Sequence, residues 1–185
     1  MAQPNPEPIS QGAKHLTLAK DEAWLKITLL LPQSVPVGTL SYYKQRNDDF
    51  LRRHPDLQAP DYYLNYGDKY ASRFMNTLRP QLTEPGQKWV EKVFVLLQQK
   101  MEDKLATNPL AFDQLERSPK KFRSFAYSTH WAAYVDAGIG WLPYSDIEKI
   151  ATTPDLVDIF CWGGIVQMTK TSPWVIWDLL VPSAY

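Results

Sequence analysis

Apolar side chains recur every three or four residues through the middle of this 185-residue chain, which is the spacing of one helix face. The pattern predicts a first helix over 39–53, followed by a loop that prolines bracket. It also predicts a second helix with an aromatic face, formed by Tyr63, Tyr66, Tyr70 and Phe74. The middle of the chain is therefore expected to be helical.

Capping signals place three more helices after these two. A long third helix is predicted to begin after Thr83 and to end at Asn108, and a short helical stretch follows over 110–115. Ser118, with a proline directly after it, begins another helix. Gly138 ends that helix, because glycine readily adopts the left-handed conformation that closes a helix.

The two ends of the chain give a weaker pattern. Residues 1–13 are polar and rich in proline, which predicts a mobile tail. Alternating apolar positions over 16–31 fit two short strands or a helix, and the apolar run 174–181 fits a buried strand or a docked arm. A short helix is predicted over 145–151. We therefore predict one mainly α domain over 14–185, a compact helical array with a small β-sheet from those two segments, with an α+β fold as the alternative.

Composition excludes several classes of protein. Twenty basic and twenty acidic residues give a formal net charge of zero, which argues against a dedicated nucleic-acid-binding protein. A single cysteine excludes an internal disulfide framework and a zinc module with several cysteines. The start has no signal-peptide pattern, and no apolar run approaches the roughly 20 residues of a membrane helix. We expect a cytoplasmic protein with neither nucleic acid nor membrane as partner, and the oligomeric state stays open.

Cys161 and His130 are the candidates for catalysis. A nucleophilic cysteine needs a neighbouring histidine, cation or helix N-terminus to lower its pKa, and His130 is the best placed of the three histidines. Their pairing defines one alternative function, a small hydrolase. The plainer interpretation of Cys161 is a buried thiol among aromatic residues. The histidines have no metal-binding spacing and no phosphate-binding glycine loop occurs, so we predict neither a metal nor a cofactor.

Tyrosines cluster at the start of the second predicted helix, at positions Tyr62, Tyr63, Tyr66 and Tyr70. Tyrosine combines a flat apolar ring with a polar tip, which suits a sugar, a small ligand or a protein partner. The helical spacing favours a plainer interpretation, an aromatic face packed in the core. Tyr62 lies off that face, so we expect it at the surface. A module that binds a small ligand or glycan through the Tyr63–Phe74 region is therefore a second alternative function.

Four cations fall within seven residues, at Arg117, Lys120, Lys121 and Arg123. Such a group can contact phosphates or an acidic protein, although a solvated helix face is the more usual reason for it. Aromatic residues make up 13% of the chain and cluster, and they are enriched at interface hot spots. The leading hypothesis is therefore a non-enzymatic interaction module, such as an adaptor, inhibitor or immunity-type protein. The tyrosines and cations named above are its predicted binding residues.

Overall fold

The computed structural model describes residues 29–153, together with Lys20. Six helices occupy most of that part of the chain: α1 (Tyr42–Arg53), α2 (62–78), α3 (Glu84–Thr107), α4 (Pro109–Glu116), α5 (Pro119–Ala137) and α6 (Tyr144–Thr152). Two short 3-10 turns, Arg79–Gln81 and Ile139–Trp141, lead from α2 to α3 and from α5 to α6. No residue between 29 and 153 lies in a strand. The fold is therefore the mainly helical array that the hydrophobic spacing predicts.

The predicted capping residues lie where the helices begin and end. Thr83 directly precedes α3 and Asn108 follows it. Asn108 then begins α4, because its side-chain oxygen accepts a 3.0 Å hydrogen bond from the backbone of Ala111. Gly138 ends α5 with a φ of 98°, a left-handed conformation that favours glycine. Local signals thus suffice to place these helix ends.

The helix α2 departs from regular α-helical geometry. Its first segment, Tyr62–Asp68, and its last, Phe74–Leu78, are π-helical, and the α-helical Lys69–Arg73 lies between them. Such widened turns are rare and frequently occur at functional sites. The ring of Tyr43 packs against Gly67 so closely that a β-carbon there would lie 2.6 Å from Cε1 of the ring. Gly67 therefore allows α1 and α2 to approach each other.

Two clusters of buried side chains form the core. The larger one is aromatic and joins α1 and α2 to the other helices; its largest members are Tyr42, Tyr43, Tyr62, Tyr63, Phe94, Met101, Phe112 and Phe122. The second lies where α6 meets α3 and α5, and contains Leu78, Leu82, Trp89, Val90, Val93, Tyr134 and Ile150. The two clusters place a largely aromatic layer under α2 and a mixed aliphatic and aromatic layer under α6.

The helices α3 and α5 run in opposite directions against each other. Near one end, Nε1 of Trp89 donates a 3.2 Å hydrogen bond to the carbonyl of Tyr134. Near the other end, Nζ of Lys104 lies 6.0 Å from the centre of the Phe125 ring. This antiparallel pair forms the support on which α2 lies.

Several predictions fall outside the described residues. One is the tail predicted over 1–13. The others are the segments 16–31 and 174–181, from which we expect a small sheet; of these segments the structure describes only residues 20 and 29–31. The division into a tail and one domain over 14–185 stays a prediction. The helix predicted over 145–151 is confirmed, as Tyr144–Thr152.

Candidate functional site

A small cavity lies between α2, α3 and α5, in the region where the sequence places its tyrosine cluster. Its volume is about 30 Å³, which is room for roughly two water molecules. The lining is mostly aromatic and apolar: Tyr43, Tyr62, Tyr66, Gly67, Tyr70, Ala71, Phe74, Val90, Val93, Phe94, Leu97, Tyr127 and His130. The predicted Tyr63–Phe74 region therefore does line a cavity, although the cavity is narrow.

The four predicted tyrosines divide into two buried and two half-buried side chains. Tyr62 is 3% exposed and Tyr63 is fully buried, whereas Tyr66 and Tyr70 reach the surface in part. The expectation that Tyr62 lies at the surface is wrong. Its ring packs against Phe122 on α5 with ring centres 5.9 Å apart, so α5 covers the side of α2 that a single-helix projection leaves open.

His130 is the most polar group of the cavity lining, and it is 7% exposed. Its Nδ1 donates a 2.8 Å hydrogen bond to the carbonyl of Ala126, one turn earlier in α5. Burial lowers the pKa of His130 to about 4, so the ring is neutral at pH 7. In this tautomer Nε2 carries a lone pair.

The hydrolase hypothesis pairs this histidine with Cys161, which lies outside the described residues. That pairing therefore stays a prediction. The environment of His130 does not favour it, because a histidine whose pKa is about 4 is a weak general base at neutral pH. No group of three or more potential metal ligands comes together within residues 29–153.

The basic residues 117–123 do not form one free surface. Arg117 pairs with Asp113, with 3.0 Å between Nη2 and Oδ2. Arg123 pairs with Asp61 and lies 5.0 Å above the ring of Tyr66, at the edge of the cavity. The remaining two cations, Lys120 and Lys121, are exposed in the first turn of α5 and make no ion pair with the described residues. Two of the four predicted cations thus form ion pairs within the chain, and two face solvent.

A buried ionic cluster, which the hydrophobic pattern does not predict, joins α1 to α3 and α4. Arg46 and Arg53 lie two helical turns apart on α1 and are 0% and 4% exposed. Arg53 pairs with Glu116, with 2.6 Å between Nη2 and Oε2, and also with Asp113. Arg46 lies 3.6 Å from Glu102 on α3 and 3.5 Å from Glu116 on α4. The two guanidinium groups therefore bridge carboxylates from different helices.

Two tyrosine hydroxyls complete the cluster. Tyr42 donates to Glu102 at 2.8 Å, and Tyr63 donates to Glu116 at 2.5 Å. Burial raises the pKa of Glu116, although the neighbouring Arg46 and Arg53 act in the opposite direction. A buried charge requires hydrogen-bonding partners of this kind. The cluster gives Tyr63 a structural role, and its predicted role in binding a partner stays a prediction.

The same cluster also fastens the segment before α1. Nη1 of Arg46 donates to the carbonyl of Gln33 at 2.5 Å, and the backbone of Val35 donates to Glu102 at 3.3 Å. The amide of Gln98 on α3 accepts from the backbone of Gly38 at 2.6 Å. Buried polar side chains therefore take the place of secondary-structure partners for residues 33–38, which lie in neither a helix nor a strand.

The turn between α5 and α6 presents the most exposed large hydrophobic side chains of the described part. Trp141 is 91% exposed and Tyr144 is 73% exposed. Their neighbours Ile139 and Leu142 pack inward against the core under α6, so the turn is anchored. From the sequence, glycines at 138 and 140 indicate only a helix end. The exposure of Trp141 could have been suspected from its place between Gly140 and Pro143, since residues in such turns usually lie at the surface.

Comparison with protein-family models, curated proteins and solved structures returned no significant match. Within the described residues, none of the helices combines the length and apolar character that a membrane crossing requires.

Proposed function

We propose that this chain is a non-enzymatic protein-binding module of the adaptor, inhibitor or immunity type, and that the turn 138–144 is its anchor. The observation that carries the proposal is the exposure of Trp141, 91%, on a turn fastened to the core. Together with Tyr144 it presents on the order of 300 Å² of largely apolar surface. A patch of this size matches the largest apolar patch of a typical monomeric protein, and such patches are often functional.

The anchoring of the turn supports the same function. Ile139 and Leu142 are packed on the core, and Gly138 is hydrogen-bonded to the carbonyl of Val135 at 2.9 Å. A presented side chain on an ordered backbone loses less conformational entropy when it binds than one on a mobile loop. Tryptophan and tyrosine held in this way are the residue types that dominate interface energies.

The partner that fits this surface is a protein with an apolar pocket for the Trp141 ring. The nearest exposed charge in α6 is Glu148, one turn after Tyr144, so polar or basic groups are expected around that pocket. The exposed Lys120 and Lys121 lie at the opposite end of α5, roughly 28 Å away for a helix of 19 residues. They suit a role in attracting an acidic partner over a distance, which affects the association rate more than affinity.

The test is affinity capture from a lysate of the source organism with three forms of the full chain. The wild type is compared with the double variant Trp141→Ala Tyr144→Ala and with Leu110→Ala, a control whose side chain is also exposed, at 64%, but lies on α4. We expect the wild type and the control to recover the same stoichiometric protein and the double variant to lose it. Equal capture by all three forms, or no stoichiometric protein with the wild type, contradicts the proposal.

The cytoplasm is the proposed place of action. The single cysteine, which fits a reducing compartment, supports it. Cell fractionation with an antibody to the chain tests this part separately, and recovery in a secreted or membrane fraction would refute it.

A further inference from the structure

Half-buried apolar side chains form a groove along α2, where the small cavity meets the surface. Three of them, Tyr66, Tyr70 and Phe74, follow each other at intervals of four residues, which places them on one face of the helix. Leu97 on α3 and Tyr127 on α5 form the other sides. These five residues are named the α2 groove. A groove of this kind accepts an apolar chain segment, because the segment covers surface that water contacts otherwise.

Positive charge accompanies the α2 groove. Nζ of Lys69 lies 5.2 Å from the centre of the Tyr70 ring, and Arg73 follows one turn later on α2, half-buried. The guanidinium of Arg123 lies 5.0 Å above the ring of Tyr66. The groove therefore favours a segment that brings negative charge next to apolar side chains.

The described chain ends close to this groove. Its last residue, Thr153, donates a backbone hydrogen bond of 3.3 Å to the carbonyl of Ile150, in α6. Ile150 is 1% exposed and belongs to the core cluster against which Phe74 and Leu97 also pack. Because seven extended residues span up to roughly 23 Å, the segment 154–160 is long enough to lie along the α2 groove.

The sequence of this segment complements the groove in polarity and in charge. Leu156, Ile159 and Phe160 recur at spacings of three and four, which predicts one apolar helix face. Asp155 and Asp158 lie three residues apart beside that face, and the segment contains no basic residue. A row of acidic side chains next to an apolar face thus meets a row of cations next to an apolar groove.

We propose that the segment 154–160 docks in the α2 groove of its own chain, with its apolar face on the aromatic rings and its two aspartates towards Lys69 and Arg73. The docked segment covers Tyr66 and Tyr70, two of the residues predicted to bind a partner. The site is separate from the turn 138–144 and does not rest on the proposed protein-binding function.

The single cysteine of the chain, Cys161, directly follows this segment and allows its position to be measured. A nitroxide spin label attached to Cys161 in the full chain weakens the amide NMR signals of residues that lie near it. We expect the strongest loss of signal in residues 66–77 of α2 and 94–97 of α3, and little loss in α4. A pattern in which α4 loses as much signal as α2, or in which α2 is unaffected, overturns the proposal.

The same label distinguishes docking within one chain from docking between two chains. Spin-labelled chain without isotope is mixed with isotope-labelled chain that carries no spin label, and the signals of the second chain are followed. We expect no loss of signal from α2 in this mixture. If the α2 signals weaken there as much as in the spin-labelled chain itself, the occupant of the groove is a second copy and the proposal is wrong.

An exchange of charges tests the assigned orientation. The double variant Lys69→Glu Arg73→Glu should reduce the loss of signal from α2, because the acidic segment is then repelled. Adding Asp155→Lys and Asp158→Lys to that variant should restore the loss, since the two rows of charge are again opposite in sign. A wild-type pattern in the first variant, or no recovery in the second, shows that the aspartates do not face these cations and overturns the proposal.

The matched control for the exchange is Lys120→Glu Lys121→Glu, which changes the net charge by the same amount at an exposed site on α5. It should keep the wild-type pattern. An equal reduction in this control would mean that net charge, rather than the α2 groove, positions the segment. If Lys69→Glu Arg73→Glu does not fold, the spin-label pattern of the wild type still decides.

Discussion

The hydroxyl of Tyr63 donates a 2.5 Å hydrogen bond to Oε1 of Glu116, and both side chains are fully buried. The other oxygen of the same carboxylate, Oε2, accepts from Arg53 at 2.6 Å. Both oxygens of a carboxylate in the interior therefore have short partners, from α2 and from α1. This arrangement lets the aromatic core contain charged groups, because each would otherwise lose its hydration without replacement.

Removal of the Tyr63 hydroxyl should weaken the fold. Tyr63→Phe keeps the ring in the core but takes the closest partner from Oε1 of Glu116. We expect the free energy of unfolding to fall by about 1–3 kcal/mol, measured by urea denaturation at pH 7. Tyr144→Phe removes the same atom from a side chain that is 73% exposed, and should change stability by less than about 0.5 kcal/mol. Equal effects of the two changes would mean that the buried hydrogen bond contributes nothing.

Loss of a buried guanidinium should have a larger effect. Arg46→Met fills a similar volume but leaves Glu102 and Glu116 without one of their cations. Breaking a buried pair from one side typically destabilises a protein by about 3–5 kcal/mol, and we expect a loss in that range by chemical denaturation. Lys121→Met removes an exposed charge and serves as the control. A wild-type stability for Arg46→Met would show that the ionic cluster does not hold α1 in place.

Gly86, in the first turn of α3, is predicted to be irreplaceable for a steric reason. A β-carbon at this position would lie 2.8 Å from Cγ of the buried Asp146 and 2.8 Å from Cβ of Leu82. Alanine normally stabilises a helix by about 1 kcal/mol relative to glycine. A decrease in the free energy of unfolding on Gly86→Ala would therefore indicate a steric clash. We expect Gly86→Ala to destabilise the protein and to loosen α6, whose Asp146 accepts a 3.0 Å hydrogen bond from the backbone of Thr83.

The matched control for this change is Gly140→Ala, where no atom lies within 4 Å of the added carbon. Hydrogen exchange of the α6 amides measures the loosening directly. Faster exchange in Gly86→Ala but not in Gly140→Ala is the expected result. Unchanged α6 exchange in both variants would show that Asp146 moves aside without effect.

His130 should make stability depend on pH in the acidic range. Burial lowers its pKa to about 4 in the folded chain, against 6.5 for an unperturbed histidine. The unfolded chain therefore binds a proton at a higher pH than the folded chain, so stability is complete above about pH 6.5 and is lost as the pH falls towards 4. Between pH 7.5 and 4.5 we expect His130 to account for a loss of roughly 2–3 kcal/mol.

The measurement is chemical denaturation of the wild type and of His130→Gln at both pH values. The variant lacks the titrating ring, so its loss of stability over this range should be smaller by the stated amount. The ring neighbours of His130, Tyr127 and Tyr134, stay uncharged throughout, so the difference between the two proteins belongs to His130. If the wild type and His130→Gln lose the same stability between the two pH values, the group that titrates is not His130.

Helix positions were predictable because their signals are local. Asn108 and Gly138 act on the backbone within one turn, through a side-chain oxygen and a left-handed φ respectively, and need no knowledge of the remaining chain. The spacing of the tyrosines likewise indicates that α2 has a buried face. It cannot indicate that a second helix covers the opposite side, which is why the expectation for Tyr62 failed.

The ionic cluster shows why the buried side of α1 was not predictable in full. Apolar spacing indicates Tyr43 and Phe50 but counts Arg46, Asp49 and Arg53 as polar and therefore exposed. Arg46 and Arg53 are buried because carboxylates from α3 and α4 meet them, and that pairing joins residues as distant along the chain as Arg46 and Glu116. Asp49 is buried because the same two arginines pair with it. The exposure of Trp141 is the opposite case, since its size and polarity alone favour burial.

The sequence by itself determined that the chain is helical and where most of its helices begin and end, because those choices depend on neighbours within a few residues. Only the tertiary structure decided which polar groups lie inside and which aromatic groups lie outside. The physical reason is that the free energy of burying a group depends on the partners it meets from distant parts of the chain, and no local pattern specifies those partners. The candidate binding surface of this protein, the anchored Trp141 turn, belongs to this second kind.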